Sequence, residues 1–573
     1  MWSAPIVVLL GIAAICAPST PPVYAQDPNF GPNVKVFDPT MSISSIQSTC
    51  NSIFTAQQKS QFGTGRYALL FKPGAYSGLT VNIGYYTQAL GLDPTSPNNT
   101  LITGAVQTDA SWNRGNATLN FWRGMENLEI NPTAGDSAGT TVWAASQACP
   151  VRRVHVQGAM KLSYPTSRSW SSGGFIADSV VDGQIDSGTQ QQYCTRNVQM
   201  GSWTGSNWNL VFVGDTGAPA TSFPSYTNVS TTPVVREKPF LTYSAATGWN
   251  VFVPALKTSY TGSDWANNAS AGTLIPISTF YIAQSSTDNA STINTALASG
   301  KNILFTPGIY SLNGTIQVNN PNTVLLGIGL ATLNATGGAD AIHVADVDGV
   351  TVAGLILDAN SAVNTLLQVG PSGSSLSHAA NPTLLADVFV RVGGADAGSC
   401  VNGIVINSNN VIGDGFWIWR ADHGTGVGWT SNTAINGMVV NGQNVTLYDL
   451  QNEHFQQYQT VWNGNNGSLY MYQSECPYDV PNQASWMDGT IDGYASYKVG
   501  SAVTSHTAYG LGIYSNFTTN SAVIEGNAIE APTTGMNFND MLIWSWSGEI
   551  KSIINGQGGP ATKDQKATLL NYQ

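Results

Sequence analysis

The chain has 573 residues, of which only 9% are Asp, Glu, Lys or Arg, against about 25% in an average soluble protein. That scarcity excludes coiled coils and disfavours helical bundles, whose exposed faces need Glu and Lys, while 42% hydrophobic content with 16 Trp, 22 Tyr and 18 Phe excludes disorder. A net charge of −12 weighs against nucleic acid or anionic membranes as partners.

At the N-terminus, Ile6 to Cys16 form an apolar run too short to cross a bilayer, and Val23-Tyr24-Ala25 supplies a small-x-small cleavage site. Residues 1–25 are therefore expected to be a cleaved signal peptide, and the mature protein to be secreted. No later apolar stretch is long enough to span a membrane. Five cysteines follow the leader, Cys50, Cys149, Cys194, Cys400 and Cys476, so at least one should be a free thiol. Their spacing matches no zinc site, and neither metal nor cofactor is expected. Ten Asn-x-Ser/Thr sequons between Asn98 and Asn516 fit a secreted glycoprotein.

The strongest organisational signal is a duplication. Leu70-Phe71-Lys72-Pro73-Gly74-Ala75-Tyr76 returns as Leu304-Phe305-Thr306-Pro307-Gly308-Ile309-Tyr310, each copy leading into Val/Ile-rich stretches. Two homologous halves are implied at 34–253 and 277–550, with a turn-rich linker at 254–276 and a polar tail at 551–573. Inside each half, short Val/Ile/Leu runs alternate with Gly, Asn and Asp turns, and extended helical periodicity is hard to find. That rhythm allows a sandwich, a propeller or a solenoid. Asn and Gly at successive corners favour an all-β fold of two tandem parallel β-helices, whose coils bury their apolar sides on one another.

The second half also sets a coil length. Leu447-Tyr448-Asp449-Leu450-Gln451-Asn452-Glu453 aligns with Leu469-Tyr470-Met471-Tyr472-Gln473-Ser474-Glu475 at an offset of 22 residues. In a solenoid these are neighbouring strands, about 4.8 Å apart. Glu453 and Glu475 then face the same side, and two such carboxylates cannot both ionise freely. Hydrolysis of a glycosidic bond uses such a pair, a protonated acid for the leaving oxygen and a carboxylate for water; the plainer alternative is two exposed acids on a solenoid face. Trp417, Trp419, Trp429, Tyr458, Trp462, Tyr472, Tyr478 and Trp486 surround the pair and could stack on sugar rings or simply fill the core. Asp422, His423 and His454 could bond sugar hydroxyls.

At these residues the chain resembles glycoside hydrolase family 55, the secreted β-1,3-glucanases. The resemblance runs in order through the duplicated motif, Asn120-Phe121-Trp122-Arg123, Ser146-Gln147-Ala148, Ser172-Gly173-Gly174-Phe175, Gln190-Gln191-Gln192, Arg196-Asn197, Asn452-Glu453-His454 and Gln473-Ser474-Glu475-Cys476-Pro477-Tyr478. It implies two tandem right-handed, pectate-lyase-like β-helices in a rib-cage arrangement with the active site between them. It also implies a monomer that removes glucose from the end of β-1,3-glucan with inversion. By position it assigns Glu475 as general acid, and Glu453, Gln147 and Ser172 as the groups holding and deprotonating water. Trp419, Tyr478, His454, Asp422 and Gln192 become sugar-binding positions. Two positions depart from the family pattern. Gly124 stands where fungal members tend to carry Gln, and Cys476 follows the acid, either bonded to Cys400 or free as a small hydrophobe. A β-helical polysaccharide lyase or other glycanase and a non-catalytic glucan-binding solenoid are the competing readings.

Overall fold

The computed structural model describes residues 1, 27–165, 169–266 and 271–573; the expected leader, apart from Met1, and the sequon at Asn268 lie outside the described residues. Val/Ile/Leu strands broken by Gly, Asn and Asp wind into two parallel β-helices. In the first, a nine-stranded parallel sheet runs from Val34–Phe37 to Tyr226–Val229, backed by an eight-stranded sheet. In the second, a 13-stranded sheet runs from Phe280–Ala283 to Ala567–Tyr572, again backed by eight strands. Each half encloses its own apolar core, with Ile, Val and Leu stacked coil on coil. The 22-residue offset is one coil: Leu447 pairs with Leu469 and Glu453 with Glu475 in a parallel register.

The duplicated motif performs the same local task twice. Tyr76 donates its hydroxyl to the carbonyls of Phe37 (2.9 Å) and Lys72 (2.8 Å). Tyr310 does so to Ala283 (2.7 Å) and Thr306 (2.9 Å), which ties the first coil of each half together. Ahead of each motif lies an α-helix, Ile43–Gln57 and Ala290–Ala298, that covers the open end of a core with Ile46 and Ile53 or Ile293 and Leu297. These two helices escape a search for extended helical periodicity because they span only 15 and nine residues.

Long strands of the second half bend at a residue in the left-handed region. Gly354, Asp387, Gly415, Asp449, Met471, Gly510 and Asp540 occupy equivalent places on successive coils, with φ between +51° and +70°. Gly and Asp tolerate this conformation; Met471 occupies it without that advantage. Beyond the bend the side chains alternate: Phe416, Ile418, Leu450 and Tyr472 point into the core of the second half, while Trp417, Trp419, Glu453 and Glu475 lie on the face that meets the first half.

Two boundaries differ from the sequence reading. The expected linker is a folded junction, because Gly248–Pro254 pairs antiparallel with Phe240–Ser244 and with Gly272–Pro276. The expected tail carries the strand Ala567–Tyr572, which pairs antiparallel with Met536–Ser547 and covers a sheet edge. The halves join through an apolar cluster containing residues of both, including Ala68, Leu90, Leu304 and Leu326. Ion pairs cross the same interface: Arg152 Nη2 lies 2.6 Å from Asp387 and 2.8 Å from Asp414, and Arg196 lies 2.7 Å from Asp414. All five described cysteines are free and buried. Cys476 is therefore not bonded to Cys400; its thiol lies 3.2 Å from a Glu525 oxygen beneath the site.

Candidate active site

One rung of the 13-stranded sheet carries three of the expected site residues. Read across neighbouring strands it contains Asp358, Arg391, Trp419, Glu453, Glu475, Tyr514 and Trp544, about 4.8 Å apart at the backbone. Two residues earlier along the strands, and so on the same face, stand Phe389, Trp417, Gln451 and Gln473. The first half presents Phe121, Gln147, Ser172 and Gln191 from successive coils. Between the two walls lies a cavity of about 240 Å³ whose remaining lining includes Trp417, Trp419, Asp422, His423, Glu453, His454, Glu475, Tyr478 and Trp546.

Glu453 is held on both oxygens. Gln147 Nε2 donates to Oε1 at 2.9 Å and Trp417 Nε1 to Oε2 at 2.8 Å. Ser172 Oγ donates in turn to Gln147 Oε1 at 2.7 Å, so a chain of two groups from the opposite wall ends on a carboxylate. Glu475 accepts from Gln473 Nε2 at 3.1 Å and from the Tyr478 hydroxyl. Burial pushes the Glu453 carboxyl well above its usual range and the facing Glu475 charge adds to this; burial likewise raises Glu475, against the opposing influence of His454 and Tyr478. The pair thus favours holding one shared proton.

Hydrogen-bond geometry decides where that proton resides. An indole N–H can only donate, so Trp417 favours the ionised form of Glu453. The Tyr478 hydroxyl can reverse to accept from a protonated Glu475, and Gln473 Oε1 is buried without a partner, ready to accept after an amide turn. These partners favour the proton on Glu475 and the charge on Glu453, whereas burial and the facing charge raise the Glu453 carboxyl further than that of Glu475.

A model of the LAM55 pectate lyase-like domain matches residues 280–475. An exo-beta-1,3-glucanase of Streptomyces sp. (strain SirexAA-E / ActE) is 46% identical over 542 residues, 94% of this chain and 88% of that protein. The chain belongs to glycoside hydrolase family 55. A solved structure of sacteLam55A from Streptomyces sp. SirexAA-E superposes with a TM-score of 0.93 at 44% identity, covering 96% of this chain and 99% of that one. A glutamate-to-alanine variant of sacteLam55A in complex with glucose gives 0.92 at 44% identity over 96% of this chain and 100% of that one.

In this family 55 chain the cavity brings together Glu475, Glu453, Gln147, Ser172, Trp419, Tyr478, His454 and Asp422. Gln192 is the exception among the expected positions. It is fully buried and donates to the Tyr472 carbonyl at 3.2 Å, and its neighbour Gln191 faces the cavity instead. Gly124 lies outside the cavity too, where an added Cβ would meet Gln88 Nε2 and Pro150 O, each at 3.3 Å. Trp417, counted in the sequence only among the surrounding aromatics, bonds the carboxylate directly; its place two residues before Trp419 on one strand was the available signal. Gln61 and Phe62 carried none. They follow the first helix and reach across the interface, Gln61 Nε2 to His423 Nε2 at 2.6 Å and Phe62 stacked on Trp419 with ring centroids 6.4 Å apart. Among the described residues no cluster of three or more His, Cys, Asp or Glu could hold a metal ion.

Proposed function

We propose that this protein is a secreted glucan 1,3-β-glucosidase that removes glucose from the end of β-1,3-glucan with inversion. The observation that carries the reading is the pair of facing glutamates, one tied to Tyr478 and the other to the Ser172–Gln147 chain of the opposite wall. Protonated Glu475 gives its proton to the glycosidic oxygen as the bond to the leaving chain breaks. Water held at Ser172 and Gln147 attacks the opposite side of the sugar, and Glu453 is the group of that chain basic enough to take the water proton.

Strand spacing explains why such a chain is needed. Inverting carboxyl pairs usually stand about 6.5–9.5 Å apart with the water between them, whereas neighbouring strands are about 4.8 Å apart. Water is therefore positioned from the far wall rather than between the two glutamates. The same spacing would also suit a retaining pair with Glu453 as nucleophile, a reading that product stereochemistry separates. End-on action is supported by the wall at Trp419 and His423, backed by Phe62 stacked on Trp419 and by Gln61 bonded to His423. The described lining contains no Lys or Arg to neutralise a uronate, which disfavours a lyase. The name of the Streptomyces relative and the glucose bound to the sacteLam55A variant support this substrate class, and the leader sequence supports export.

The test is proton NMR of laminarin digestion by wild type and Glu475→Gln. Glucose appearing first as the α-anomer, and falling roughly 10²–10⁴-fold in the variant, supports the assignment. First appearance of the β-anomer would overturn inversion, early mixed oligosaccharides would overturn end-on action, and an unsaturated product would overturn hydrolysis.

A further inference from the structure

A second cavity lies at the other edge of the 13-stranded sheet. The catalytic rung sits near the ends of these strands, whereas Asn322, Gly349 and Asn381 occupy turns that precede Val324–Gly327, Thr351–Ala359 and Leu384–Val392 on successive coils. With the junction strands Gly248–Pro254 and Gly272–Pro276 these turns enclose about 410 Å³, against about 240 Å³ in the catalytic cavity, and the two spaces share no lining residue. An added Cβ at Gly349 would collide with the amides of Asn322 and Asn381, so glycine keeps this floor open. Thr273 and Asn322 are exposed, and the space opens to solvent there.

Arg236 lines this cavity and is 9% exposed. Its Nη1 donates to the Pro382 carbonyl at 3.1 Å and its Nη2 to Asn381 Oδ1 at 2.9 Å, while Nε is buried without a partner. A guanidinium has five N–H donors, so each Nη keeps a second one. No carboxylate among the described residues pairs with Arg236, and burial alone acts on its basicity, lowering it. Asp346 and Asp348, just before Gly349, bond His378 instead, at 2.9 and 2.7 Å. Residues 267–270, shortly before the strand Gly272–Pro276, are Asn, Asn, Ala and Ser and bring no acid either. A buried cation without a counter-ion is costly.

Charge and shape define what would relieve that cost. One unpaired cation balances one negative charge, which favours a monoanion over phosphate or sulfate. Val253, Ile275 and Val324 make the walls apolar, and the volume is that of an organic ligand rather than an inorganic ion. A planar carboxylate matches the guanidinium donors. We infer that this cavity is a second ligand site that takes a small organic monocarboxylate, with its carboxylate on Arg236 and its aliphatic body against Val253, Ile275 and Val324.

The experiment is isothermal titration calorimetry of wild type, Arg236→Met and Asn381→Asp with hexanoate, its neutral counterpart hexanamide, and inorganic phosphate. Asn381→Asp places a carboxylate where Arg236 already bonds Oδ1, so it supplies the counter-ion from within and keeps the cation. Wild type should bind one hexanoate, more tightly than phosphate, and should not bind hexanamide. Both substitutions should weaken hexanoate roughly tenfold or more, with near-ultraviolet circular dichroism establishing folding; if Arg236→Met does not fold, Asn381→Asp decides. Absence of saturable hexanoate binding, equal binding of hexanamide, or wild-type hexanoate affinity in Asn381→Asp would overturn the site. Phosphate binding more tightly than hexanoate would overturn the carboxylate assignment.

Discussion

Replacing Trp417 by Phe removes a single N–H donor from the site while keeping an aromatic ring against Phe121 and Trp419, whose centroids lie 4.5 and 5.0 Å away. The indole N–H bonds Glu453 Oε2 at 2.8 Å in a buried setting. A hydrogen bond to a charged group contributes about 1.5–3 kcal/mol. At about 1.36 kcal/mol per pKa unit, the ionised form of Glu453 should lose support equivalent to roughly one to two units. The sign follows directly: a carboxylate deprived of a donor is harder to ionise, so its pKa rises. In the proposed mechanism Glu453 is ionised to accept the water proton, so the acidic limb of the pH–rate profile should move to higher pH by about one to two units. Below that limb kcat should drop roughly 10- to 100-fold. The assay is kcat on laminaribiose across pH for both proteins, with near-ultraviolet circular dichroism to establish folding. A folded variant with an unmoved acidic limb would refute the assignment of Glu453 as the ionised member of the pair.

Ser172→Ala should lower kcat on laminaribiose on the order of 10²-fold by removing a positioned donor, with a much smaller change in KM, as steady-state kinetics would register. Arg152→Met should destabilise the protein by about 3–5 kcal/mol, because Asp387 loses its Arg partner while Asp414 keeps Arg196. Urea midpoints of the two proteins at neutral pH measure this. With all five described cysteines free and buried, thermal unfolding should be the same with and without dithiothreitol, and a thiol reagent should react with them only after denaturation.

Much of the architecture was legible because a solenoid repeats its local rules. The duplicated Leu-Phe-x-Pro-Gly-x-Tyr motif announced two halves because its tyrosine closes the first coil in both. The 22-residue offset placed Glu453 beside Glu475 because parallel stacking converts sequence spacing into strand register. The capping helices were too short for periodicity to announce, and the junction at 254–276 read as turns although its ends pair in a small antiparallel sheet. Within the site, Gln191 and Gln192 could not be distinguished from sequence, since they lie in the bend before the strand Tyr193–Arg196, where one faces the cavity and its neighbour is buried.

What lay beyond the sequence was the meeting of the two halves. Gln147 and Glu453 are 306 residues apart, and Gln61 and His423 are 362 apart. Neither distance is a repeat length, so no spacing rule joins them. Each half could assemble its coils from its own Val, Ile and Leu runs, which determines the rung that carries Trp419, Glu453 and Glu475. Only the packing of one β-helix against the other, through a shared apolar cluster and the Arg152 and Arg196 ion pairs, decides that Ser172 and Gln147 face that rung and that Phe62 closes its end. Stacking within a solenoid is a near-neighbour property written into the chain, whereas the docking of two solenoid faces depends on the shape and charge of whole surfaces.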